Sequence, residues 1–328
     1  MKNGLSIIVI AGIFVLGMAN PFAVAADYPT RSVTIINPFA PGGTLDIQSR
    51  AFAAIAEKSM GQPFVVVNRP GATGMVGGLA GAQAAPDGYT LTVGSTAMTC
   101  ALEWEAASGR KAPFSRRDFI TIGSFTMSPT LVVVPYDSPW KTLEDMIRDA
   151  KARPGHYAFG SGGLYGMSHI PAEIFARALG LKFRHVPFSG GAPALSAIVG
   201  RHVDFGTQFP PTSLPLMQGK KLRVLAVQSD RRLKAIPDVP TVKELGFDAE
   251  YYAWVGILVP VKTPLPVVEK LRETAIKAVK EKTFIDAVEK PGDEIRFMNG
   301  DELAKFWEIE SEKVGRIWAQ LVRESASK

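Results

Sequence analysis

The chain has 328 residues, of which 46% are hydrophobic and 21% charged. That composition excludes a disordered chain, a collagen and a coiled coil, and the length points to two domains, each able to bury its own core. Lys and Arg number 37 against 31 Asp and Glu, and the resulting +6 is spread without a basic run, which suits small anions and not a nucleic-acid partner.

The first segment reads as a targeting signal. Lys2 precedes an uncharged stretch over 4–26 with its apolar centre at 7–16, and Ala23 and Ala25 supply small residues ahead of the first acidic one, Asp27. This pattern predicts a cleavable secretory signal over 1–25, cut after Ala25. Its apolar core is shorter than the ~20 residues a membrane span needs, and no later segment is apolar enough to cross. Cys100 is the single cysteine, so no intramolecular disulfide forms. No histidine lies near it in sequence, and it is expected to be an inert, partly buried thiol.

The same plan then appears twice. A strand over 33–36 is broken by Pro41, Gly42 and Gly43, and a helix over 44–60 follows, with Ile47, Ala51, Phe52 and Ile55 on one face and Gly61 as its stop. A strand over 64–67 turns at Asn68, Arg69, Pro70 and Gly71. A small-residue helix over 74–84 leads through Asp87 and Gly88 to a strand over 89–93. The second copy has a strand over 157–159, a break at Ser161, Gly162 and Gly163, and a helix over 167–179 ending at Gly180. A strand over 183–186, a break at Ser189, Gly190 and Gly191, a helix over 192–199 and a strand over 203–205 complete it. Gly43 and Gly71 stand 28 positions apart, and Gly163 and Gly190 stand 27 apart. Alternating strands and helices imply an α/β fold with mainly parallel sheets flanked by helices. Ligands bind such sheets beyond the carboxyl ends of the strands, where all four glycine turns fall. After Arg223 come strands over 224–227 and 254–259, a helix opened by Thr263 and Pro264, and a last helix from Asp301.

Several chemistries are missing. There is no phosphate-binding Walker loop, no serine-hydrolase elbow, no paired cysteine and no zinc-protease motif. His169 and Glu173 stand four apart on one predicted helix without an evident third ligand, so no metal and no cofactor is expected. An enzyme using Ser161 or Cys100 would need a base beside it, and none stands near either in sequence.

The glycine turns carry the positive signal. A helix N-terminus leaves about four N–H groups unpaired, and glycine lets a ligand come close to them. Thr44, Ser95, Thr96, Ser161 and Ser168 add hydroxyls, and no Arg or Lys falls within 41–44 or 161–168. This set holds carboxylates with neutral donors. Asp46 lies in the first helical turn, where it would repel an anion unless it points away or pairs with Arg50 at i,i+4; the alternative is contact with ligand or water.

The run Pro38-Phe39-Ala40-Pro41-Gly42-Gly43-Thr44-Leu45-Asp46 resembles the first ligand loop of the Bug-type solute receptors of tripartite tricarboxylate transporters. So do Asn68-Arg69-Pro70-Gly71-Ala72, Asp87-Gly88-Tyr89-Thr90-Leu91, Ser161-Gly162-Gly163, His169-Ile170-Pro171-Ala172-Glu173, Val186-Pro187-Phe188-Ser189-Gly190-Gly191 and Pro237-Asp238-Val239-Pro240-Thr241. The resemblance implies a two-lobed type II periplasmic binding fold. It implies a monomeric periplasmic receptor, not an enzyme, that closes on a small di- or tricarboxylate or aromatic acid and presents it to integral membrane subunits. It nominates Phe39, Gly42, Gly43, Thr44 and Asp46 in one lobe, and Ser161, Gly163, Ser168, Gly190 and Ala192 in the other. Ala40, Gly162, Ser95, Thr96 and Tyr165 complete the candidate ligand set. The sequence departs from the family at Thr73, at Tyr165 and Met167, and over 100–114 with Glu103, Trp104 and Glu105; Tyr165 and Trp104 are candidates to shape the site. The expected lobes are 27–125 plus 229–328 and 126–228. Alternatives are a receptor serving a sensor kinase and a secreted enzyme on the same fold.

Overall fold

The computed structural model describes residues 28–326. The expected signal segment over 1–25 lies outside the described residues.

The first half of the chain runs β1 (Val33–Asn37), α1 (Thr44–Met60), β2 (Phe64–Asn68), α2 (Met75–Ala82), β3 (Thr90–Ser95), α3 (Thr96–Ala107) and β4 (Phe119–Pro129). It then passes to β5 (Leu131–Pro135), α4 (Leu143–Ala152), β6 (Ala158–Ser161), α5 (Ile170–Ala178), β7 (Arg184–Pro187), α6 (Gly191–Val199), β8 (Phe205–Gln208), α7 (Pro210–Gln218) and β9 (Leu222–Val227). The last part is β10 (Tyr252–Pro260), α8 (Leu265–Ala278), α9 (Lys282–Glu289), β11 (Ile295–Asn299) and α10 (Gly300–Ala326).

The strands form a six-stranded sheet, β11-β4-β10-β3-β1-β2, and a five-stranded sheet, β7-β6-β8-β5-β9. The α/β class stands, and the strands run mainly one way: β1, β2, β3 and β4 share a direction in the first sheet and β6, β7, β8 and β9 in the second, with antiparallel members among them. β1 pairs in parallel with β2 and β3, and β6 with β7 and β8. The pairs β10–β3, β10–β4, β11–β4, β5–β8 and β5–β9 are antiparallel. The physical reason is the crossing of the chain between sheets. β4 leaves the first sheet in the same direction as β1, β2 and β3, and β9 leaves the second in the same direction as β6, β7 and β8. β5 and β10 enter from those crossings and therefore run against the strands they join.

The crossings pair with each other. Thr130, between β4 and β5, donates its hydroxyl to Gln228 Oε1 at 2.8 Å, and the Gln228 N–H meets the Thr130 carbonyl at 2.8 Å. Both residues are fully buried. The first crossing sits at Thr130, just past the boundary expected at 125/126, because β4 continues unbroken to Pro129.

Alternation explains the cores. Leu131 and Val133 of β5 face one cluster with Leu195 and Ile198, while Val132 and Val134 face another with Phe159, Phe175 and Trp318. A strand apolar on both faces is buried on both. The first sheet packs Phe52 of α1 against Phe125 of β4 and Phe284 of α9. α2 sits close on β1, where a Cβ on Gly77 would lie 2.7 Å from the Pro38 backbone. Packing that close requires small residues there. α10 packs against β4, β11 and α3 of the first sheet and reaches α5 of the second.

Candidate functional site

β4 and β9 end at the crossings and run in the direction of the parallel strands beside them. The carboxyl ends of β1, β2 and β3 therefore lie on the side of the first sheet that faces the second. Those of β6, β7 and β8 lie on the side that faces the first. The glycine turns predicted from sequence follow these carboxyl ends.

In the first sheet the turn after β1 is organised by Asp46. Its carboxylate is buried and accepts from the Gly42 N–H at 3.0 Å, Arg50 Nε at 3.0 Å, Asn68 Nδ2 at 2.9 Å and Asn37 Nδ2 at 3.4 Å. Burial works to raise the Asp46 pKa, but the hydrogen bonds from Arg50, Gly42 and Asn68 together outweigh it and hold the carboxyl well below its ordinary range. Asn68 also reaches the Phe39 carbonyl at 2.9 Å, and the Phe39 N–H donates to Asn37 Oδ1 at 3.1 Å. The parallel register sets Asn37 beside Asn68, which is why two asparagines remote in sequence close one network. Asp46 thus faces inward and shapes the turn, while Ala40, Gly42, Gly43 and Thr44 are exposed. Ile47 donates the first intrahelical bond to the Gly43 carbonyl, so the N–H groups of Thr44, Leu45 and Asp46 have no partner within the helix. Gly42 is left-handed, with φ +84°, whereas a Cβ on Gly43 would meet only the Ala40 carbonyl, at 3.9 Å. The Phe39 ring lies against Gly74 of the neighbouring turn, where a Cβ would stand 2.9 Å from the ring.

The second sheet builds its turns from neutral groups. Ser161 ends β6, donates its hydroxyl to the Gly163 carbonyl at 2.9 Å and lies 2.6 Å from His185 Nε2. Ser168 accepts the Gly162 N–H at 2.8 Å and gives its own carbonyl to the Thr207 hydroxyl at 2.8 Å. Gly162 packs against the turn before α6, where a Cβ would fall 2.8 Å from the Gly191 nitrogen. Two glycine turns therefore touch backbone to backbone. Ser161 and Ser168 are buried inside this framework, while Gly163 and Gly190 are half-buried and Ala192 is exposed. The first turn of α6 offers the N–H groups of Gly191 and Ala192, since Pro193 has none.

His185 corrects the expectation that no base stands near Ser161. It is brought there by the parallel pairing of β6 and β7, which sets Phe159 beside His185. Burial, reinforced by His169, lowers its pKa from 6.5 to about 3, so it stays neutral. Ser161 has one hydroxyl proton and lies within reach of both the Gly163 carbonyl and His185 Nε2, so the pair ties the end of β6 to β7 and to its own turn. His169 stacks on His185 at 3.8 Å and accepts the Tyr165 N–H on Nδ1 at 3.0 Å. Its Nε2 lies 3.6 Å from Glu173. Among the described residues no group of three ligands suited to a metal occurs.

Ser95 and Thr96 are buried at the end of β3. The Thr96 hydroxyl donates to Glu310 at 2.8 Å and accepts the Trp254 N–H at 3.0 Å. Glu310 also takes the Thr99 hydroxyl and the Trp254 indole N–H, each at 2.7 Å. Burial raises the Glu310 carboxyl from 4.5 to about 7 against those three hydrogen bonds. Thr96 therefore anchors α3 to α10 and does not face the seam. Cys100 is fully buried, 3.9 Å from the Tyr251 hydroxyl, and burial raises its thiol far above the ordinary range. The thiol is thus fully buried where partial burial was expected, and such burial disfavours the reactive thiolate.

The departures at 104 and 165 meet. Trp104, on α3, stacks on Tyr165 of the second-sheet turn with centroids 3.3 Å apart and planes 10° apart. Both rings stand edge-on to Trp318 of α10. Sequence reasoning singled out Trp104 and Tyr165 separately. It missed His185 and Glu310, which carry no local signal, and Trp318, whose only signal was the apolar periodicity of an ordinary core position.

A profile of the tripartite tricarboxylate transporter family receptors matches residues 49–322. Protein BugT of Bordetella pertussis is 31% identical over 332 residues, covering 99% of each chain. A TctC solute binding protein from Polaromonas, solved without ligand, superposes with a TM-score of 0.78 at 30% identity over 88% of this chain and 98% of that one. The R. palustris protein Rpa4515, solved with adipate, superposes with a TM-score of 0.74 at 27% identity, covering 89% and 98%.

Proposed function

The chain belongs to the tripartite tricarboxylate transporter receptor family, a family of binding proteins and not of enzymes, and from that premise we propose that it captures a small organic carboxylate between its two lobes in the periplasm. It then hands the acid, as a monomer, to the integral membrane subunits of a tripartite transporter. What supports this reading is topological: the glycine turns of both sheets follow the carboxyl ends of parallel strands, and no Arg or Lys falls within 41–44 or 161–168. The adipate held by Rpa4515 supports an acid of this class. Among the described residues no helix is long and apolar enough to cross a membrane, which fits a receptor that works with separate membrane subunits.

In this reading the lobes follow the two sheets, so the first boundary moves from the expected 125/126 to Thr130 and the second stays at 228/229, with the hinge at the paired crossings Thr130 and Gln228. Gly42, Gly43 and Thr44 present N–H groups from one lobe, beside Phe39 and Ala40. Gly162, Gly163, Gly190 and Ala192 face them from the other. Asp46, Ser161, Ser168, Ser95 and Thr96 support these contacts from behind. Rotation about the hinge closes the lobes on the acid. Each charge-assisted hydrogen bond formed in the closed seam contributes about 1.5–3 kcal/mol.

The test is a thermal-shift screen of the purified chain against succinate, adipate, citrate and benzoate, with putrescine as a cationic control. At a hundredfold excess over Kd, binding adds about 2.7 kcal/mol to stability, a rise of several degrees in Tm. A rise with putrescine and none with any acid would overturn the reading.

A further inference from the structure

We propose that Trp104 and Tyr165 form the end wall of the ligand cleft and set the length of the acid it accepts. This rests on the carboxylate-receptor reading above and adds the determinant of ligand size.

The wall is built from both lobes. α3 is rooted at the carboxyl end of β3, with Ser95 and Thr96 at its start, and carries Trp104 across the seam. Tyr165 lies in the turn between Ser161 and Ser168, two positions beyond Gly163. The two rings lie parallel at a 3.3 Å centroid separation, so no chain of methylenes passes between them. The wall is braced from behind. Trp318 is fully buried, meets both rings edge-on and donates its indole N–H to the Cys100 carbonyl at 3.2 Å. Trp104 and Tyr165 are themselves only half-buried.

The backbone aims the tyrosine. Tyr165 holds a left-handed φ of +61°, disfavoured for a bulky residue, and its N–H is fixed on His169 Nδ1 at 3.0 Å. A ring kept in place at a conformational cost points to a shape the site requires. An acid long enough to reach the wall meets two rings already stacked on each other, which leave its distal end no room to pass.

The same conformation supplies a clean variant. Glycine is at ease at positive φ, so Tyr165→Gly removes the ring and relieves the strain together. Calorimetry with succinate, adipate, suberate and sebacate on wild type, Tyr165→Phe, Tyr165→Gly and Trp104→Ala reads the wall directly, with circular dichroism confirming the fold. Wild type and Tyr165→Phe should favour succinate or adipate over suberate. Tyr165→Gly and Trp104→Ala should each move the suberate-to-succinate affinity ratio about tenfold toward suberate, as expected for two further methylenes finding cover. An unchanged ratio, including a proportional loss for every acid, overturns the wall while leaving the receptor reading intact, and so does wild type taking suberate as tightly as succinate. Binding of none of these linear diacids by wild type overturns the wall, while the receptor reading stands or falls with the thermal-shift screen.

Discussion

The two glycine turns, after β1 and after β6, are held in place by opposite chemistries. The turn after β1 is held by an ionised carboxylate with a guanidinium and three amide donors around it. The turn after β6 is held by two hydroxyls, a neutral histidine and a backbone contact that only glycine permits. The deeper packing follows the same split, with the acid Glu310 buried behind the first sheet and the base His185 behind the second. Similar topology therefore does not imply similar energetics. One half depends on charge and its pH range, the other on shape.

The sharpest way to break this contrast is to remove its two anchors. Asp46→Ala should cost about 2–4 kcal/mol in urea unfolding at neutral pH, because Arg50 and three amide donors lose their acceptor. The Asp46 contribution is present above its ordinary value of 3.8 and is lost as pH falls toward its depressed folded value. Ser161→Ala should cost only about 1 kcal/mol. Equal costs for the two would sink the comparison.

Shape is tested next. Gly162→Ala places a Cβ 2.8 Å from the Gly191 nitrogen and 3.0 Å from the Gly190 carbonyl carbon, so backbone has to move, at a cost of about 1–3 kcal/mol. A denaturation midpoint equal to that of wild type would show that the second turn is looser than its contacts.

The buried acid gives a gain in stability. The folded pKa of Glu310 lies above its ordinary 4.5, so its contribution is fully present below that value and is lost as pH rises through about 7. Glu310→Gln mimics the protonated form and should stabilise the protein by on the order of 1–3 kcal/mol near pH 8, fading near pH 4.5. His185 works the other way: its contribution is present above 6.5 and is lost as pH falls toward about 3. A Glu310→Gln gain that does not depend on pH would count against the acid as its source.

The smallest effect on the fold belongs to Gly43→Val. Its Cβ has open space and the backbone is extended at φ −80°, so stability should change by no more than about 1 kcal/mol. The added side chain stands in front of the α1 N–H groups, and acid affinity measured by calorimetry should fall at least about tenfold. Unchanged affinity would remove this turn from the site.

Much of this was legible in the residues. In the first copy β-branched runs ended by glycine clusters located the strands, the turns and the helix starts, because each signal is local; in the second, with fewer β-branched residues, the elements were found but the helix expected from 167 begins at Ile170 and the strand expected over 203–205 is Phe205–Gln208. The ion pair of Asp46 with Arg50 could be read from helical spacing alone. The antiparallel members of both sheets could not, since they depend on where the chain crosses. Nor could the meeting of Ser161 with His185, Asn37 with Asn68, or Thr96 with Glu310, because strand register and helix packing bring together residues that no short window contains.

What the sequence determined by itself was the set of α/β elements and the neutral, glycine-rich character of the loops, since backbone preference and hydrophobic period act over a few residues. Tertiary structure decided which of those loops share a seam, which hydroxyls turn inward and which aromatic rings meet across it. Those outcomes depend on strand direction and on the packing of one helix against both sheets, and these exist only once the whole chain is folded.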